Sequence, residues 1–135
     1  MSESALGEPA RRVALTLPGE RRSIGIVRLF VGGLAARLDL GYEAMDDLQL
    51  ALESVLLEAQ LRPEITLEAQ IDGDAVSMTI GPLARDPLGP DTPGVGELEL
   101  RQLLARLVAR VESTERDGGC WLRLDVRIPA GSGAT

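Results

Sequence analysis

The chain has 135 residues, a formal net charge of −7, 44% hydrophobic residues and 2% aromatic ones. That length fits one domain that buries about two-thirds of its unfolded surface, around a core that Leu, Val, Ile and Ala must fill. The absence of His and Lys, with Cys120 as the single cysteine, excludes imidazole catalysis, Schiff bases, a P-loop lysine, a Cys/His zinc site and an intramolecular disulfide.

The acidic balance weighs against nucleic acid, whose affinity for proteins comes largely from neutralised phosphates, and favours a basic protein partner. Residues 1–12 lack the apolar run of a signal peptide and read as a flexible N-terminus. No stretch of about 18 apolar residues is present, so a cytosolic protein without a membrane span is expected. Residues 13–17 alternate as a strand and end at Pro18 and Gly19. Ile24, Val27, Val31, Leu34 and Leu38 then recur at three and four, which predicts a helix with Ser23 as its N-cap. Gly32 and Gly33 inside it cost about 1 kcal/mol each against Ala, so close packing against another helix or a partner is one reading and simple tolerance the other.

A second helix is expected from about Tyr42 to Gln60, with Leu48, Leu52, Val55, Leu56 and Ala59 as its core stripe. Glu43, Asp46 and Asp47 complement its N-terminal dipole better than they make a metal cluster. Residues 65–71 and 76–80 alternate around the turn at Asp72, Gly73 and Asp74, a hairpin signal. Residues 81–96 (GPLARDPLGPDTPGVG) hold four prolines and four glycines and fit no regular element. A third helix resumes near Glu97 and carries apolar residues as far as Val111. Asp117 to Gly119 turn the chain, and 120–128 form the last strand. Residues 129–135 (PAGSGAT) read as a flexible tail. Helices on one face of a mainly antiparallel sheet would bury these stripes.

Residues 46–60, DDLQLALESVLLEAQ, place Glu53 and Leu57 four apart on one helix face with Leu50 about a turn away. With the helix before it and the hairpin after it, this stretch resembles the N-box helix of the GHKL ATPase fold, in particular the anti-sigma factor serine kinases. The resemblance spans residues 13–128. It implies one degenerate GHKL-like domain, an α+β, two-layer sandwich of Bergerat type with about four to five strands and about three helices. Residues 23–38 are similar to the family's first helix, where an Arg matching Arg28 lies at the edge that meets a sigma factor or a STAS-domain anti-anti-sigma factor. Arg21 and Arg22 extend that edge.

The family's nucleotide contacts are altered. Its Asn ligand to Mg²⁺ is Leu57 here. Its Asp-x-Gly-x-Gly box is IGPLARD, with Pro82 or Leu83 at the Asp place and Asp86 too far along. Its second glycine box falls on Leu98, Glu99 and Leu100, unless two inserted residues bring Gly94 and Gly96 there. Its Gly-Thr-Thr is Gly119-Cys120-Trp121. Glu53 alone stands in its family place, and a half-buried carboxylate satisfied by a nearby Arg or backbone N–H is the plainer account of it. Leu50, Leu57 and Leu83 are expected to fill adenine space.

The expectation is therefore a non-catalytic regulatory pseudokinase of transcription control. It needs no cofactor and no metal, binds a protein in a partner-switching pathway, and pairs as a homodimer. The alternative implied by the same resemblance is an active serine kinase using ATP and magnesium, with Glu53 as base and Gly94 and Gly96 at the phosphates. Cys120 reads as a small buried residue and not as a reactive thiol.

Overall fold

The computed structural model describes residues 11–58, 61–72, 75–84, 86–88 and 95–126. The elements run β1 (Arg11–Pro18), α1 (Ser23–Leu38), α2 (Tyr42–Glu58), β2 (Leu61–Asp72), β3 (Ala75–Leu83), α3 (Val95–Leu107), β4 (Arg110–Arg116) and β5 (Gly119–Asp125). The strands form one sheet in the order β1-β2-β3-β5-β4, and every neighbouring pair is antiparallel. The three helices lie on one face of it, which makes an α+β sandwich.

Strand alternation sorts the sheet into two faces. Leu17, Ile65, Leu67 and Ala69 point to the helices, as do Val76, Met78 and Ile80 of β3 and Leu122 and Leu124 of β5. Opposite them stand Val27 and Val31 of α1, Leu48, Leu52 and Val55 of α2, and Leu104 of α3, all buried. Residues at three- and four-residue spacing share a helix face, so each helix turns one stripe inward. α2 is central and packs against both α1 and α3.

The structure refines the sequence-based expectations at several points. Residues 11 and 12 belong to β1, where they pair with Ile71 and Gln70. Ser23 does not cap α1: Arg22 holds the N-cap position without a side-chain hydrogen bond, while the buried Ser23 hydroxyl donates to the Pro18 carbonyl at 2.6 Å and ties the helix start to β1. β3 runs on through Gly81 and Pro82 to Leu83, because a bulge between Ile80 and Leu83 keeps Leu83 facing the core. Pro82 is tolerated there because a bulge suspends the regular ladder hydrogen bonds.

α3 ends at Leu107 instead of reaching Val111, and residues 110–116 form β4, an edge strand paired with β5. Its sequence, RVESTER, hides the strand because only its middle residues are partly covered. The signal was the Asp117-Gly118 pair after it, which takes positive φ (53° and 77°) as a two-residue hairpin turn requires. Finally, a Cβ at Gly32 or Gly33 would meet nothing within 4 Å, so no intramolecular close packing explains these glycines. Ala59, the turn at 73–74, most of 84–94 and the tail from 127 onward lie outside the described residues, as do residues 1–10.

The opposite face of the sheet is polar and self-paired. Trp121 alternates away from the core, and the Arg116 guanidinium lies over its ring, 4.0 Å from the centroid, while reaching Glu68 at 2.8 Å. Trp121 fits only because Gly81 has no side chain: a Cβ there would stand 2.6 Å from Trp121 Cδ2 and 2.9 Å from the Cys120 carbonyl oxygen.

Two glycine substitutions should therefore move stability in opposite directions. Gly81→Ala should cost about 1–3 kcal/mol through overpacking. Gly33→Ala, in an open helical position, should add about 0.5–1 kcal/mol. Urea unfolding followed through the single Trp121 checks both.

Candidate functional site

The residue singled out by the sequence lies where α2 meets α1. Burial of Leu52 and Leu56 against the sheet turns Glu53, one position round the helix, towards α1. There the Arg28 guanidinium grips both carboxylate oxygens, Nε to Oε2 at 2.5 Å and Nη2 to Oε1 at 3.0 Å. One turn earlier on α2, the Gln49 amide donates to the Arg28 carbonyl at 3.0 Å. The two helices are thus joined by a polar clasp at the rim of the core. Glu53 is 14% exposed and Arg28 60%. The hydrogen bond that Arg28 donates to Glu53, and then the charge of that carboxylate, raise the Arg28 pKa, so Arg28 is a permanent cation.

This geometry suits positioning better than chemistry. A general base needs an oxygen aimed at the proton it removes, and here both oxygens accept from one guanidinium. Leu57 offers no ligand for a cation. Among the described residues no group of three or more Asp, Glu, His or Cys is placed to hold a metal.

Leu50 and Leu57 do not lie in a closed space: they are 45% and 48% exposed. Of the three leucines expected to fill adenine space, Leu83 alone is in the core. The residue that joins it there is Leu88, from the segment after β3. Asp86 Oδ1 accepts from the Leu88 N–H at 2.8 Å and from the Ser113 hydroxyl of β4 at 2.6 Å, and the Arg101 guanidinium of α3 donates to the Leu88 carbonyl. Pro87 and Leu88 are buried. A side chain that accepts from the N–H two residues on is an Asx turn, so Asp86-Pro87-Leu88 carried a readable local signal. Its partners Ser113 and Arg101 carried none, since their meeting depends on the fold.

The other singled-out residues are spread apart. Arg21 and Arg22 are exposed before α1, and Arg22 lies 3.7 Å from Glu20. Gly96 falls in the first turn of α3, which begins at Val95 and so earlier than the sequence suggested. Gly94 lies outside the described residues. Cys120 is buried, and burial first, then the charges of Asp86 and Glu115, push its thiol up to about 11.

No protein family and no characterised protein matches the sequence itself. The fold does match a crystal structure of the RsbU and RsbW domains of Rv1364c from Mycobacterium tuberculosis, with a TM-score of 0.61 and 16% identity over 89% of this chain. The chain spans about a third of that protein's length, 33%. At this identity the likeness is one of fold alone, an α+β sandwich. No helix among the described residues is long and apolar enough to cross a membrane.

Leu88→Ala should lower stability by about 2–5 kcal/mol, against about 1 kcal/mol for Ser113→Ala, which removes one hydrogen bond; chemical denaturation of the two variants separates core filling from tethering. Cys120 carries the opposite pH sign from a reactive thiol. Its folded-state pKa of about 11 lies above the model-peptide value of 9.0, so the folded state holds its proton longer. Stability is unaffected below about pH 9 and falls between about pH 9 and 11. A thiol reagent at pH 8 should label Cys120 only after unfolding.

Proposed function

We propose that the chain is a non-catalytic regulatory protein that acts by binding another protein, on a scaffold similar to an anti-sigma factor kinase. The observation that carries this reading is the Arg28–Glu53 clasp: the one residue kept at a catalytic position of the resembled family is engaged as a structural link. Two further observations support it. The magnesium-ligand position is the half-exposed Leu57, and the segment following β3 is tied into the core at Asp86 and Leu88. The resemblance places the partner among sigma factors or STAS-domain antagonists of a partner-switching pathway, with Arg28, Arg21 and Arg22 at the edge that meets it, and it implies a homodimer.

One observation favours the other reading, an ATP-dependent serine kinase. α3 opens at Val95-Gly96, directly after Gly94, and free N–H groups at a helix start suit phosphate. Against it, Glu97 follows within the same turn and would repel an anion. Phosphoryl transfer also relies on charge neutralisation, and the position that holds magnesium in the resembled family is Leu57 here.

Calorimetry with ATP, ADP and Mg²⁺, together with thermal shift at millimolar nucleotide, decides between them. A ligand at 100 times its Kd would stabilise the fold by about 2.7 kcal/mol. We expect no heat and no shift. Magnesium-dependent binding would sink the regulatory reading, and phosphoryl transfer to a partner serine that Glu53→Ala abolishes would establish the kinase.

A further inference from the structure

We infer that the outward face of α2 is a docking surface for a basic amphipathic helix of another protein, which seats an apolar side chain between Leu50 and Leu57 and flanks it with Lys or Arg. The inference rests on the regulatory reading above and gives it a binding surface and a partner chemistry.

α2 turns Leu48, Ala51, Leu52, Val55 and Leu56 into the core and so presents Leu50 and Leu57 outward, 45% and 48% exposed. Leu50, Glu53, Ser54 and Leu57 stand at i, i+3, i+4 and i+7, the four positions that frame a hole for one knob of a neighbouring helix. Its two polar members leave that hole open. Ser54 folds its hydroxyl onto the Leu50 carbonyl at 2.8 Å, and Arg28 draws the Glu53 carboxylate towards α1. The wall on the α1 side is low. Gly25 and Gly32 lie three before and four after Arg28 and share its side of the helix, and a Cβ at either would meet nothing within 4 Å. An incoming helix can therefore lie along α2 without striking side chains of α1 at these two positions.

Charge selects the occupant. From Tyr42 to Glu58 the helix carries Glu43, Asp46, Asp47, Glu53 and Glu58 and no Lys or Arg. Glu43, Asp46 and Asp47 precede Leu50 by seven, four and three residues, so they share its face. The side chains of Glu43 and Asp47 have no ion pair or hydrogen bond among the described residues. Arg28 is the one cation paired with α2 among those residues; it is closed on Glu53, and Asp46 also acts on it through charge. Arg21 and Arg22, ahead of α1, pair with no carboxylate of α2. The face thus keeps an excess of negative charge beside its two leucines. Tyr42, 79% exposed at its start, adds a ring over which a cation can sit.

Other occupants fit poorly. Phosphates of a nucleic acid or an anionic membrane are repelled by the same carboxylates. Two copies meeting through α2 set carboxylates against carboxylates in either orientation, a device against pairing.

The test uses two stapled helical peptides of about five turns with the same leucine seam, one flanked by Arg and the other by Glu. Each is titrated into the isotope-labelled full chain and followed by amide NMR. The Arg peptide should shift α2 signals around Leu50, Ser54 and Leu57 and bind at least about tenfold more tightly than the Glu peptide. The double variant Glu43→Gln, Asp47→Asn should remove most of that preference while leaving the fold intact. Leu50→Ala and Leu57→Ala, both at half-exposed positions, should each weaken the Arg peptide by about tenfold.

Equal binding of the two peptides, shifts centred on α1 or on the sheet, or no shift at millimolar peptide would overturn the inference. So would a dimer of the chain alone that Leu50→Ala dissolves. Nucleotide binding in calorimetry with the Arg peptide still seated on α2 would remove the regulatory reading and leave the docking surface standing. A nucleotide that displaces the peptide from α2 would remove both.

Discussion

The apolar stripe of α2 against the sheet sets where every other feature stands. Leu48, Ala51, Leu52, Val55 and Leu56 are almost wholly buried, and α2 touches α1 on one flank and α3 on the other. A helix whose inward residues are fixed has no freedom left in its rotation. Ser54 folds its hydroxyl back onto the Leu50 carbonyl at 2.8 Å, Glu53 must face α1, and Leu50 and Leu57 must face outward. The clasp with Arg28 is thus a consequence of core packing. Both partners sit at the rim, so the ion pair costs little desolvation and serves to set the angle between two helices.

The same packing explains why the region after β3 is occupied. Leu83 and Leu88 both enter the core, and the Leu88 backbone is bonded by Arg101 and by Asp86, which Ser113 holds in turn. A buried apolar side chain with its neighbouring polar groups satisfied has little reason to leave.

The two outer surfaces differ in what they ask for. On the sheet, Arg116 covers Trp121 and meets Glu68, and Thr16 bonds Thr66 at 3.0 Å, so its groups are largely answered within the chain. On α2, the half-exposed Leu50 and Leu57 and the carboxylates of Glu43 and Asp47 are answered by nothing among the described residues. Exposed apolar residues beside unpaired charges are the more informative surface.

Local chemistry was legible in the sequence wherever one element's pattern sufficed. The stripes of α1 and α2, the hairpin of β2 and β3 and the aliphatic core all follow from spacing and residue type. β4 was not legible, because an edge strand with one partly covered face carries almost no alternation, and the extension of β3 through Pro82 was masked by residues that usually end strands. The tertiary structure alone decided that Arg28 closes on Glu53, that Leu88 and not Leu50 or Leu57 fills the core, and that the glycines of α1 face open space. Periodicity states which side of a helix is apolar. Which neighbour lies across from that side is decided only when distant segments compete for the same volume.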